Sequence, residues 1–159
     1  MNATQLLRHS DFTFRRRPFY VPAHLRLSYR VGEILVLLGC ASRRGRSSIA
    51  RLHILNSAIR ASSSPSEVAG WISHDSVERN LPLRVEPGLT RVLRISESLR
   101  LIETVKGKSF QLTNAGTLHL NAILALGPTP YARLRQLSPH LKRITEGFTS
   151  SIISPRRGA

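Results

Sequence analysis

Apolar positions recur at helical spacing along most of this chain. Leu27, Val31, Ile34, Leu35 and Leu38 fall on one side of a helix predicted over 25–41, with Tyr29, Arg30 and Glu33 mostly on the other. The segment SRRGR, 42–46, breaks that helix, and Ser47 or Ser48 is placed to cap a second one running to about Arg60. On this second helix Ile49, Leu52, Leu55 and Ile59 share a face, and Ala50, Ile54 and Ala58 carry the apolar surface further round. His53, Ser57 and Arg60 remain as a narrow polar strip. A helix apolar over so much of its circumference must be covered on more than one side.

The SSSP stretch, 62–65, ends the second helix. Ser64 with Glu67 forms a capping box, and Pro65 takes the favoured first position of a short third helix through Trp71 and Ile72. Residues 73–86 are polar and mixed, with Leu81, Leu83 and Val85 alternating as a possible short strand. From Gly88 to Arg100 a further helix turns Leu89, Val92, Leu93 and Leu99 inward, with Ser96 between them, and Arg91, Arg94 and Ser98 outward.

LIETVKGKSFQLTNAG, 101–116, reads as two short strands around a Lys106–Lys108 turn, then Thr113 capping a helix over about 114–126 that Gly127 and Pro128 end. An isolated hairpin is marginal in water, so Ile102, Phe110 and Leu112 are expected to bury one of its faces. A last amphipathic segment carries apolar residues at 131, 134, 137, 141 and 144.

Composition adds a strong electrical bias. Twenty-four Lys and Arg stand against nine Asp and Glu, a formal charge of +15 in 159 residues, and only positions 106, 108 and 142 are Lys. Such a field draws in phosphate backbones, anionic membranes or an acidic protein, and the Arg fork suits bidentate contacts with phosphate or carboxylate. An Arg-rich genome would give the same composition. Residues 1–24, with Arg15, Arg16, Arg17 and the motif PFYVP, read as an extended basic arm. Residues 154–159 read as a disordered basic tail.

The length suits one domain with modest extensions. The longest apolar run, Ile34–Leu38, is far short of a membrane span, and MNATQLLRHSDF lacks the apolar core of a signal peptide. The lone Cys40 lies in an apolar run and has no partner for a disulfide, which fits a reducing cytoplasm. GxxxxGK[ST], HExxH, CxxC and GxSxG are all missing, and the six His are scattered. Neither an enzyme nor a metal or cofactor site is expected.

The order helix, helix, outward-facing Arg helix, hairpin, Thr-capped helix resembles a winged helix-turn-helix domain, above all in "L..LIE...GKSFQLTNAG". The fold this implies is mainly α with a small β-hairpin wing: a basic arm over 1–24, the winged-helix domain over 25–126, a helical extension over 127–153 and the tail. In that frame Gly88–Arg100 is the recognition helix, Arg91 and Arg94 are groove or phosphate contacts, and Lys106 and Lys108 touch phosphates from the wing tip. Arg43, Arg44 and Arg46 form a further basic turn that is a candidate for nucleic acid.

Two blocks, SYRVGEILVLLGCASRRGRSSIARLHILNSAIR and PGLTRVLRISESLRLIETVKGKSFQLTNAGTLHLNAI, are similar to something narrower. They resemble the small middle component of bacterial three-component ABC ATPase systems of the Lamassu anti-phage and anti-plasmid type. The resemblance implies a non-catalytic adaptor between an SMC-like ATPase, a nuclease-type effector and DNA. Ile54 on the over-apolar second helix, the arm residues Arg15, Arg16, Arg17, Phe19 and Tyr20, and the segment YARLRQLSPHLKRI are its candidate docking elements. The alternatives are a stand-alone winged-helix transcriptional regulator, working as a homodimer, and a basic RNA- or ribosome-associated protein.

Overall fold

The computed structural model describes residue 22 and residues 25–62, 64–73, 86–127 and 130–153. The basic arm apart from Pro22, the alternating stretch 81–85 and the tail lie outside the described residues. What is described is mainly helical, with one small antiparallel sheet.

Helix α1, Leu27–Val36, runs on into a π-helical turn over Leu37–Ala41. Strand β1, Arg46–Ser48, leads into α2, Ile49–Ala61, whose first turn is capped by Ser48 Oγ accepting from Arg51 N at 3.1 Å. Helix α3, Pro65–Ser73, starts where Glu67 N meets Ser64 Oγ at 3.4 Å. Helix α4, Pro87–Ser98, opens with proline, which gives up no needed donor there. The hairpin follows as β2, Ile102–Val105, and β3, Ser109–Leu112.

Thr113 Oγ1 accepts from Gly116 N at 3.0 Å and opens α5, Asn114–Ala125, which ends at Gly127 with φ 72. Helix α6, Ala132–Leu141, contains Pro139, which has no N–H for the carbonyl of Arg135. The hydroxyl of Ser138 donates to that carbonyl instead, at 2.8 Å. Helix α7, Glu146–Ile153, begins where Thr145 Oγ1 accepts from Phe148 N at 3.1 Å.

Three features depart from the pattern reading. Residues 46–48 form a third strand rather than ending a turn, and the sheet has the order β1-β3-β2, with Ser47 opposite Phe110 and Ile102 opposite Leu112. Leu99 is 57% exposed, because α4 ends before it and the chain turns away. Beyond 144 the extension adds α7, and Tyr131, Leu134, Leu137, Leu141 and Ile144 join the same core as α1, α2 and α4. The helical extension beyond 126 thus shares the core of the helices before it.

Ile34 and Leu35 of α1 and Leu37 and Leu38 of the π-helical turn meet Leu52 and Leu55 of α2, Leu89 and Leu93 of α4, and Ile102 of the hairpin in that core. Phe110 and Leu112 pack against it from β3, as the hairpin argument required. Gly116 is fixed by a close approach: a Cβ there would collide with the carbonyl of Leu101, so α5 sits directly on the bend between α4 and β2.

Candidate nucleic-acid interface

Helix α4 buries Leu89, Val92, Leu93 and Ser96 and leaves Arg91 and Arg94 exposed. Ser96 sits in the apolar face without penalty because its hydroxyl donates to Val92 O at 2.9 Å. At the end of the helix Glu97 Oε1 accepts from Thr104 Oγ1 at 2.6 Å, which ties the solvent side of α4 to β2. The hairpin turn has positive φ at both Lys106 (53°) and Gly107 (65°), the combination a type I′ turn uses to match strand twist. Lys106 and Lys108 are both exposed at its tip. Among the described residues, every ion pair involves Arg30 or Arg60; Arg91, Arg94, Lys106 and Lys108 take part in none.

A second turn of the same kind lies at the other end of β3. Arg46 N donates to Arg43 O at 3.1 Å, and Arg44 (φ 55°) and Gly45 (φ 67°) are both left-handed. Leu112 N bonds Gly45 O there, while Ile49 N bonds Lys108 O at the opposite end. Four residues of strand hold the two basic turns roughly 13 Å apart. Arg43, Arg44 and Arg46 are exposed and line a cleft of about 860 Å³ together with Ser48, Ser109, Gln111 and Glu146. Lys142 and Arg51 line its continuation. Glu146, which the sequence reading passed over, accepts from Ser48 N at 2.9 Å and from Ser48 Oγ at 2.6 Å.

Polar residues expected to face water are partly inside. Arg30 is 5% exposed and Glu33 2%. Arg30 Nη1 donates to Glu33 Oε2 at 2.6 Å and to Asn56 Oδ1 at 3.1 Å, and its Nη2 donates to Glu86 Oε2 at 2.9 Å. Arg60 Nη2 also donates to Glu33 Oε2, at 2.9 Å, and Asn56 Nδ2 to Glu86 at 2.6 Å. This network joins α1 and α2 to the residue just before α4. Burial pushes the Glu33 carboxyl up to about 7, Glu86 adds to the rise, and Arg30 opposes it.

Arg51 is 4% exposed and forms no ion pair among the described residues, although the Glu146 carboxylate is near enough to act on its charge. Its guanidinium instead donates to Ala41 O at 2.7 Å, Ser42 Oγ at 2.9 Å, Ser47 Oγ at 3.1 Å and Ile144 O. It thus fills the end of α1 with positive charge, where the helix dipole favours it. Of the strip expected on α2, only Arg60 is exposed; Ser57 is 3% exposed and His53 half-buried.

The docking candidates fare differently. Ile54 is 2% exposed within the chain's own core, because α2 is covered by α6, α7 and the network side of α1, so it offers nothing to a partner. The apolar face of 131–144 is likewise internal. Arg15, Arg16, Arg17, Phe19 and Tyr20 lie outside the described residues. Exposed apolar surface is found instead on α5, a helix without Lys, Arg, Asp or Glu, where Leu118 is 70% exposed and Leu126, just past its end, 75%.

Burial raises the Cys40 thiol above its ordinary range, which holds it as the inert thiol. Among the described residues no group of His, Cys, Asp and Glu is gathered to hold a metal, and no helix is long and apolar enough to cross a membrane. No protein-family model, no curated protein and no solved structure matches this chain.

Proposed function

We propose that this chain is a non-catalytic winged-helix subunit that meets DNA through α4 and the hairpin wing, and that it serves as the adaptor of an SMC-like ABC ATPase defence complex with a nuclease-type effector. The observation that carries the DNA-binding half is connectivity: β1 falls between α1 and α2, returns to the hairpin in the order β1-β3-β2, and α4 runs directly into β2. This order is compatible with a winged helix that carries α3 as an addition between α2 and α4, and α4 brings Arg91 and Arg94, which form no ion pair among the described residues, next to the strand that leads to Lys106 and Lys108. The adaptor half rests on the resemblance of 28–60 and 87–123, and on the uncharged, exposed face of α5 as one surface open to a protein partner.

Burial of Ile54 and of the 131–144 face takes two docking elements from the adaptor, and closes them equally to a second copy; the second reading is a free regulator that reads an operator, pairing with its own copy through another surface. Affinity purification of the tagged chain with its neighbouring genes expressed separates the two. A stable complex with a large ATPase supports the adaptor; a chain that emerges alone and binds its own promoter tightly overturns it. For the DNA surface, Arg91→Ala with Arg94→Ala is expected to lower the salt slope of DNA binding by about 2, near 0.9 per lost phosphate contact. An unchanged affinity and slope would remove α4 from the interface.

A further inference from the structure

The cleft at the Arg43–Arg46 turn is a different surface from α4 and the wing. Its strand residues, Arg46 opposite Gln111 and Ser48 opposite Ser109, lie on the outer face of the sheet. Ser47 and Phe110, which alternate with them, face the core. The cleft opens along β1, on one sheet edge, whereas α4 packs against β2 on the other. Arg44 is held at φ 55°, a conformation uncommon for a residue with a side chain, and the turn projects three exposed guanidiniums that pair with no carboxylate among the described residues.

From this we infer that the cleft is a second phosphate-backbone site, separate from the α4 and wing surface, and that Glu146 is its built-in restraint. The inference rests on the reading that the chain meets DNA but on different residues. The lining chemistry selects the ligand. None of the side chains lining the cleft of about 860 Å³ is apolar, so an anionic bilayer finds nothing to insert. None is aromatic, so unstacked bases of a single strand find no platform. What remains, beside the Ser48–Glu146 pair, is guanidinium forks, the Ser109 hydroxyl and the Gln111 amide, donors that grip duplex phosphates without reading bases.

Glu146 already occupies the donors of Ser48 at the start of α2. A phosphate entering the cleft meets the arginines and Lys142 while facing this carboxylate, which lowers its affinity by like-charge repulsion.

The test is fluorescence anisotropy on a 30-bp duplex over a salt series, with the whole chain and with circular dichroism to confirm folding. Arg43→Gln with Arg44→Asn removes two charges while keeping a residue that tolerates the left-handed turn; the salt slope is expected to fall by about 2. Glu146→Gln is expected to tighten binding about 3- to 10-fold at low salt. Lys142→Gln, on an exposed position, stands in if the turn variant fails to fold, with a slope lower by about 1. An unchanged slope in the cleft variants, or weaker binding by Glu146→Gln, overturns the inference.

Running Arg91→Ala/Arg94→Ala alongside keeps the two claims apart. Loss there alone leaves the α4 reading standing without the cleft, loss in the cleft variants alone does the reverse, and no binding at all ends both. Binding of phosphatidylglycerol vesicles that depends on the cleft, with duplex binding indifferent to it, would also overturn the assignment.

Discussion

Arg30 and Arg43 stand close in sequence and could hardly be used more differently. Arg30, at 5% exposure, bonds two glutamates and an asparagine, and Arg51, equally deep, bonds two carbonyls and two hydroxyls. Arg43, Arg44 and Arg46 project from a turn with no ion pair among the described residues, as do Arg91 and Arg94 from α4. The interior arginines are structural: each answers several acceptors that would otherwise be buried unsatisfied. The exposed ones add little to stability and leave their forks free for a ligand. Among the described residues the arginines are thus two populations, and the outer one is the better placed to meet a polyanion.

The comparison can be broken most severely at Arg51. Arg51→Met keeps the bulk but strands the carbonyls of Ala41 and Ile144 and the hydroxyl of Ser47, and leaves the Ser42 hydroxyl with its bond to Leu37 O alone. A loss of about 3 kcal/mol or more is expected, read as a shift of the urea midpoint at constant m value. Replacing an exposed arginine such as Arg91 should move the same midpoint by less than about 0.5 kcal/mol. Equal effects at the two positions would erase the distinction between the populations.

A comparable effect is expected from pH at Glu33. Its carboxyl titrates near 7 in the folded chain against an ordinary value of 4.5, so the folded state holds a proton that the unfolded state has released between those values. Stability from this group is full below about 4.5 and falls as pH rises through 7, by about 3 kcal/mol in total. Glu33→Gln, which cannot titrate, should gain on the natural chain by that amount over the same window in urea melts followed by pH. A difference that stays flat would show the carboxylate to be ionised throughout, held so by Arg30 and Arg60.

The smallest effect sharpens the outer population. Lys106→Asn puts at the hairpin tip the Asn-Gly pair that a type I′ turn prefers. Stability should rise by a few tenths of a kcal/mol, about 0.5 at most, while the DNA salt slope drops by about 1. A gain in stability with no change in slope would make the hairpin a brace alone.

Much of the architecture was legible because its signals are local. Ser48 and Thr113 cap the helices they were expected to start, Gly127 ends α5, and Lys106–Lys108 turns the hairpin. What escaped depends on partners distant in sequence. Arg46–Ser48 has no strand pattern of its own and becomes a strand only by pairing with β3. Arg30 and Glu33 sit on the polar side of α1, and that side is covered because Asn56, Arg60 and Glu86 come to meet it. One signal was available: a helix that must be covered nearly all round leaves no water for Arg51 and Asn56, so both had to be buried with partners. The cleft was half visible, since Arg43, Arg44 and Arg46 are adjacent in sequence, whereas Lys142 and Glu146 reach it only through the fold.

The hydroxyl of Thr113 has a geometric consequence. Besides capping α5 it lies 2.6 Å from Arg100 O and 3.1 Å from Leu101 O, and Thr113 N donates to Leu101 O at 3.1 Å. The end of α4, both roots of the hairpin and the first turn of α5 meet at this one side chain, with Gly116 pressed against the same carbonyl. The joint acts as a shared datum: the direction in which α5 leaves the sheet, and with it the placement of the exposed Leu118 and Leu126, is set at the same point as the root of the hairpin that carries Lys106–Lys108.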